Sequence, residues 1–84
     1  MFCTSDLIAY GVHRRLREAK LAVPRDVRLV GFDDNPLNDW IAPWLSSVRV
    51  TYRGFGAAIA EILDELRSGG TPGERLLDFD IIAR

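Results

Sequence analysis

Val27-Arg28-Leu29-Val30-Gly31-Phe32-Asp33-Asp34 is a β-branched and apolar run that stops abruptly at a pair of acids. Pro24 and Asp26 punctuate its start, and Asp33, Asp34, Asn35 and Pro36 crowd its end with turn formers, which confines it to the length of a strand. Only Arg28 interrupts Val27, Leu29, Val30 and Phe32, so the pattern predicts a strand covered on both faces, as in a parallel α/β sheet. Ligand sites in open α/β sheets lie beyond the carboxyl ends of such strands, which makes Asp33-Asp34-Asn35 the first place to look for function.

On the amino-terminal side, Met1 to Thr4 reads as the end of a strand running straight into a helix. Ser5 or Thr4 caps that helix, and Asp6 in its first turn complements the macrodipole. Ile8, Val12, Leu16 and Ala19, widened by Leu7 and Gly11, predict one buried stripe, with Arg14, Arg17, Glu18 and Lys20 on the solvent side. On the other side of the central run, Asn35 to Trp44 is a long connection in which Pro36 can open a single helical turn. Leu45 to Val50 reads as a short strand and Thr51 as a cap. A second amphipathic helix then carries Phe55, Ile59, Ile62, Leu63 and Leu66 and ends near Arg67-Ser68, before Gly69. Arg75 to Ile82 reads as the last strand. The expected order is β-α-β-β-α-β with mostly parallel strands, an α/β class.

Composition narrows the function. At 84 residues the chain allows one domain at most and a marginal core. A net charge of −1 gives no general pull toward nucleic acid or acidic lipid. The single cysteine, Cys3, excludes an internal disulfide and fits a reducing compartment, so a cytoplasmic location is expected. No apolar run approaches the ~18 residues of a membrane span, and Met1 to Asp6 has no basic region that would open a signal peptide.

Phe2-Cys3-Thr4-Ser5-Asp6 with Leu7, Ala9 and Gly11 is similar to the "xND-xx-A-x-G" segment of the lactose/galactose repressor family of transcriptional regulators. Arg15-Leu16-Arg17-Glu18-Ala19, Val23-Pro24, Asp26-Val27 and Val30-Gly31-Phe32-Asp33-Asp34 continue it. Pro43 and Leu45-Ser46-Ser47-Val48-Arg49 resemble the "P-x-L-TT-V-R-Q" crossover, and Tyr52, Gly56 and Ala60 follow at the usual places. The resemblance covers almost the whole chain. It implies the carboxyl-terminal third of a two-lobed effector-binding domain of the type I periplasmic-binding-protein fold. By it, residues 1–42 and 75–84 belong to one lobe and residues 46–68 to the other. It also implies a DNA-reading helix-turn-helix in a part of the protein not represented in these residues.

By the same resemblance Asp6 is a candidate ligand contact, since a carboxylate accepts without donating and orients sugar-like hydroxyls; the residues alone equally suit a first-turn helix acid. Tyr52 is a second candidate, a ring able to stack on an apolar sugar face or to pack at a hinge. Trp40 is a third, at the mouth of a cleft, against the commoner fate of a packed Trp, and Trp44 shares both readings. Ser5 stands where the family usually has Asn and reads as a cap. Val50 stands where the family usually has Gln; it packs but cannot hydrogen-bond across a cleft.

Other chemistry is poorly supported. Asp33, Asp34 and Asp39 lack the alternating ligands, Gly and closing Glu of a calcium loop, and His13 has no second His or Cys at metal spacing, so no metal or cofactor is expected. Cys3 and His13 are the only nucleophile and base on offer, and a Cys at a strand end is ordinarily a small core hydrophobe, so no catalytic residue is assigned. Gly69, Gly70 and Gly73 do not open a helix after a strand and make no phosphate cradle. Arg14, Arg15 and Arg17, followed at once by Glu18, make a solvated helix face. With stripes on both helices under-covered, a homodimer, exchanged elements included, is the expected partner state. Two further readings are a solute-binding protein of a transport system, which shares the Asp6 and Gly-Phe-Asp motifs, and a truncated module with an interface but no binding activity. The Leu45-to-Arg49 segment favours the regulator.

Overall fold

The computed structural model describes all residues, 1–84. Its elements in chain order are α1 (Asp6–Glu18), β1 (Val30–Phe32), α2 (Asn38–Ile41), β2 (Ser46–Val50), α3 (Arg53–Arg67) and β3 (Phe79–Ile82). The strands form one sheet in the order β1-β2-β3. β1 and β2 are parallel, pairing Val30 with Ser46, Gly31 with Ser47 and Phe32 with Val48. The expected leading strand is reduced to one parallel bridge, Phe2 to Val30, with Cys3 N–H donating to the Val30 carbonyl at 2.7 Å. Ser5 starts a helix immediately, so only the first residues are left to pair. Its Oγ accepts from Ile8 N–H at 3.2 Å, the N-cap read from the sequence.

β1 is shorter than the apolar run that announces it. Asp26 and Val27 both donate backbone bonds to the Ala22 carbonyl, at 2.8 and 3.3 Å, and that turn uses up the start of the run. Leu29, just before the strand, is 1% exposed and sits in a small core with Cys3, Ala9, Ala42 and Leu45. Burying a Leu side chain contributes about 1.5–3 kcal/mol, so these two leucines carry much of the apolar stabilisation here.

The chain divides into two compact units, Met1–Arg49 with Asp80–Arg84, and Val50–Phe79. The division falls after Arg49, and Ser46, Ser47 and Arg49 are all bonded within the first unit. In that unit the buried positions of α1 are Asp6 and Ala9, with Tyr10, Val12 and Leu16 packed on the core. Val12 and Leu16 of the expected stripe thus face the core, whereas Leu7 is 73% exposed, Ile8 50%, and Gly11 and Ala19 are exposed. A carboxylate takes the innermost place in the first turn and turns its apolar neighbours outward.

In the second unit α3 has no fully buried residue. Its N-cap is Tyr52, which makes no side-chain capping bond, so the expected Thr51 cap is not formed. Its carboxyl end is a Schellman motif. Gly70 N–H reaches the Glu65 carbonyl at 2.9 Å, Gly69 N–H the Leu66 carbonyl at 3.1 Å, and Gly69 has φ +80, a conformation that costs glycine nothing. The strand expected from Arg75 begins only at Phe79. Arg75 instead folds back on α3, pairing with Glu65 at 2.7 Å and Glu61 at 3.3 Å.

Candidate functional site

Gly31 sits in the middle of β1, and a Cβ there would overlap the Asp6 carboxylate. The absence of a side chain lets α1 bring its first-turn acid down onto the strand. Asp6 is 2% exposed, a burial that demands hydrogen bonds. It receives three: Ser47 O–H at 2.7 Å on Oδ1, and Asn35 N–H at 2.7 Å and Asn38 Nδ2–H at 2.8 Å on Oδ2. The two side-chain donors each have a further partner. Ser47 Oγ accepts from Asp34 N–H at 2.9 Å, and Asn38 Oδ1 accepts from the Tyr10 hydroxyl. Burial and the Asp6 carboxylate together raise the Tyr10 pKa above that of a free tyrosine. No buried side-chain nitrogen or oxygen in this network lacks a partner.

This buried centre holds the turn that follows β1. Asp33 N–H pairs with the Val48 carbonyl at 2.9 Å, Asp34 N–H with Ser47 and Asn35 N–H with Asp6, so successive backbone donors are all tied. The turn is unusual in conformation. Asp33 has φ 105 and Asp34 φ 50, and Asp33 lies outside even the left-handed helical region that aspartate tolerates. Strain of this kind persists where the surroundings over-determine it, and it concentrates at functional sites.

The two acids of the turn have different fates. The Asp34 side chain is 5% exposed and ion-paired to Arg49 at 2.7 Å and Arg84 at 3.0 Å. Burial pushes its carboxyl upward, but the hydrogen bonds from Arg49 and Arg84 outweigh that and hold it below the usual carboxylate range. Arg84 also binds Asp39, at 2.9 Å. The Asp33 side chain is exposed and takes part in none of these bonds. It is the carboxylate left free at the carboxyl end of β1, within the segment that the strand's position singles out.

The sequence-predicted residues are distributed as follows. Asp6 is enclosed and accepts three hydrogen bonds from protein donors. Trp40, on α2, is 84% exposed. Trp44 is half-buried and stacked on His13, with centroids 3.8 Å apart and planes at 18°; burial, with Arg17 beside it, lowers the His13 pKa. Tyr52 belongs to the second unit, 60% exposed, and meets Phe55 edge-on at 5.3 Å. The structure thus brings Asp6 together with Asn35, Asn38 and Ser47, none of which stands out in the sequence as a partner for it. Cys3 is a buried free thiol. No helix is long and apolar enough to cross a membrane.

Comparison with known proteins follows the same lines. Residues 1–84 match the family model of a periplasmic binding protein-like domain. The helix-turn-helix transcriptional regulator MalR of Streptomyces coelicolor is 45% identical over 71 residues, which is 83% of this chain and 20% of that regulator. The lac repressor dimer solved with operator and the anti-inducer ONPF matches with a TM-score of 0.82 at 28% identity, over 100% of this chain and 30% of that one. A LacI family transcriptional regulator from Arthrobacter sp. FB24, solved in complex with lactose, matches with a TM-score of 0.72 at 33% identity, over 99% of this chain and 33% of that one. The chain therefore spans a minor part of the length of each of these relatives.

Proposed function

The chain belongs to the periplasmic binding protein-like domain family, and from that premise we propose that it is a carboxyl-terminal piece of the effector-sensing region of a cytoplasmic transcriptional regulator. The effector is a small polyhydroxylated molecule, a sugar or a nucleoside, and DNA is read by a helix-turn-helix outside these residues. The regulators MalR and lac repressor, and the lactose complex of the Arthrobacter protein, support this reading. The observation that carries it is the free Asp33 carboxylate, held at φ 105 beyond the end of β1. A carboxylate accepts from two adjacent hydroxyls at once and donates to none, which suits a sugar or ribose edge.

We assign direct contact first to the exposed Asp33, with the sequence candidate Asp6, already holding three protein donors, as the second carboxylate at the end of β1. Trp40, exposed on α2, offers a face for the apolar side of a sugar ring. Tyr52 has the same chemistry in the second unit. The proposal is of a binding module, not an enzyme. It includes a homodimer, exchanged elements among its forms, supported by α3 residues Ile59, Leu63 and Leu66, each more than half exposed.

Titration of the chain with lactose and with adenosine, followed by tryptophan fluorescence, tests the reading. A saturable change with one of them, lost in Asp33→Asn, is expected. Equal binding by Asp33→Asn and the parent chain, or no saturable change with either ligand, overturns it.

A further inference from the structure

The strained turn is pinned from two sides, and the outer side is the one the ligand reading leaves unexplained. From inside, Ser47 and Asp6 hold the backbone N–H groups of Asp34 and Asn35. These bonds are made by main-chain donors, so they do not depend on the Asp34 side chain. From outside, two guanidinium groups converge on the one carboxylate of Asp34: Arg49 gives Nε–H to Oδ2 at 2.8 Å, and Arg84 gives an Nη2–H to Oδ1 at 3.0 Å. Both oxygens are thereby fixed, and with them the side-chain torsions of the residue after Asp33.

Arg84 is built into the fold more deeply than a surface cation. Its side chain is 11% exposed. Its backbone N–H donates to Ser46 Oγ at 3.0 Å, its Nη1–H to the Leu45 carbonyl at 3.0 Å, and its Nη2–H also to Asp39 Oδ1 at 2.9 Å. One residue thus ties the start of β2, the first turn of α2 and the turn after β1. Arg49 lies on β2 one residue beyond Val48, whose carbonyl pairs with Asp33 N–H. The forked, planar donor geometry of arginine suits this role, whereas a lysine is a point charge on a mobile stem.

We propose that Arg84 and Arg49 are positioning residues that act through Asp34 to hold Asp33 at its positive φ with its carboxylate turned to the ligand. The proposal rests on the reading of Asp33 as the ligand-facing acid. Without the clamp, Asp33 relaxes toward ordinary φ while the inner bonds of Ser47 and Asp6 persist.

The test uses the full chain, labelled with nitrogen-15, in four variants: Arg84→Met, Arg49→Met, Arg49→Lys and Asp33→Asn. The HN–Hα coupling of residue 33 reports its φ without any ligand, and lactose is the binding probe. The clamp predicts that Arg84→Met and Arg49→Met shift that coupling and weaken lactose binding several-fold, with Arg49→Lys in between. A merely stabilising ion pair would lower the melting temperature and leave the coupling and the affinity of the folded chain unchanged. An unchanged coupling in folded Arg84→Met or Arg49→Met overturns the proposal; should Arg84→Met fail to fold, the half-exposed Arg49 decides it. If Asp33→Asn binds lactose normally while the Met variants still shift the coupling, the ligand reading fails and the clamp stands. If Asp33→Asn abolishes binding and the Met variants change nothing, the clamp fails and the ligand reading stands.

Discussion

The two units are held by different physics. Residues 1–49 with 80–84 are organised on a buried, fully bonded polar centre, Asp6 with Ser47, Asn35 and Asn38, flanked by a small apolar core. Residues 50–79 are organised on one helix that buries no residue completely, closed by a Schellman turn and by Arg75 paired to two glutamates on its surface. In the first unit each polar group depends on several others, so it responds to single changes as a whole. In the second, contributions are local and close to independent.

Asp6→Ala therefore breaks this contrast most sharply. It leaves Ser47, Asn38 and the Asn35 N–H facing a void, and buried donors without partners cost about 1–3 kcal/mol each. A loss of at least about 3 kcal/mol, or no cooperative folding of residues 1–49, is expected in urea unfolding followed by near-ultraviolet circular dichroism. Leu29→Ala comes next, at about 2–5 kcal/mol by the same measurement, since Leu29 is completely enclosed. In the second unit, Gly69→Ala puts a Cβ on a residue at φ +80 and costs about 1–2 kcal/mol, read as fraying of α3 in amide exchange, with the exchange of residues 1–49 unaltered.

Within the first unit, acid acts through two groups. A carboxylate whose pKa is depressed by folding adds stability that is complete above its unfolded value, about 3.9, and is lost as the pH falls through the folded value. The Asp34 ion pairs should thus weaken the first unit below about pH 4, and Asp34→Asn should remove that part of the acid dependence. His13 acts in a higher window. Its pKa is lowered in the fold, so the neutral ring stacked on Trp44 is favoured, and stability falls as the pH drops below about 6.5. His13→Phe is expected to flatten that decline, the smallest of these effects, measured as urea midpoints between neutral and mildly acidic pH.

Local features were legible in the sequence, and partners were not. Ser5 as a cap, Gly69 as a stop and Asp33-Asp34 as a turn follow from chemistry spanning a few residues. The apolar run around Leu29 marks the buried strand region, though not where pairing begins. The face of α1 is legible at Val12 and Leu16 but not in the first turn, where Asp6, polar, holds an inner position while Leu7 and Ile8 are exposed. No local pattern reveals that Asp6 bonds Ser47 across 41 residues or that Asp34 pairs with Arg84 across 50. Thr51 has the chemistry of a cap, but the helix begins one residue later, beyond Tyr52. The free state of Asp33 became visible only once its neighbour's partners were known.

The most direct test of the whole account is a lactose titration of nitrogen-15-labelled chain read at the amides of Asp33, Asp34 and Asn35. Saturable shifts centred on these three, absent in Asp33→Asn while the Asp6 network stays folded, are the predicted result. Shifts that saturate elsewhere and survive Asp33→Asn would contradict the assignment of the turn after β1 as the effector-facing site.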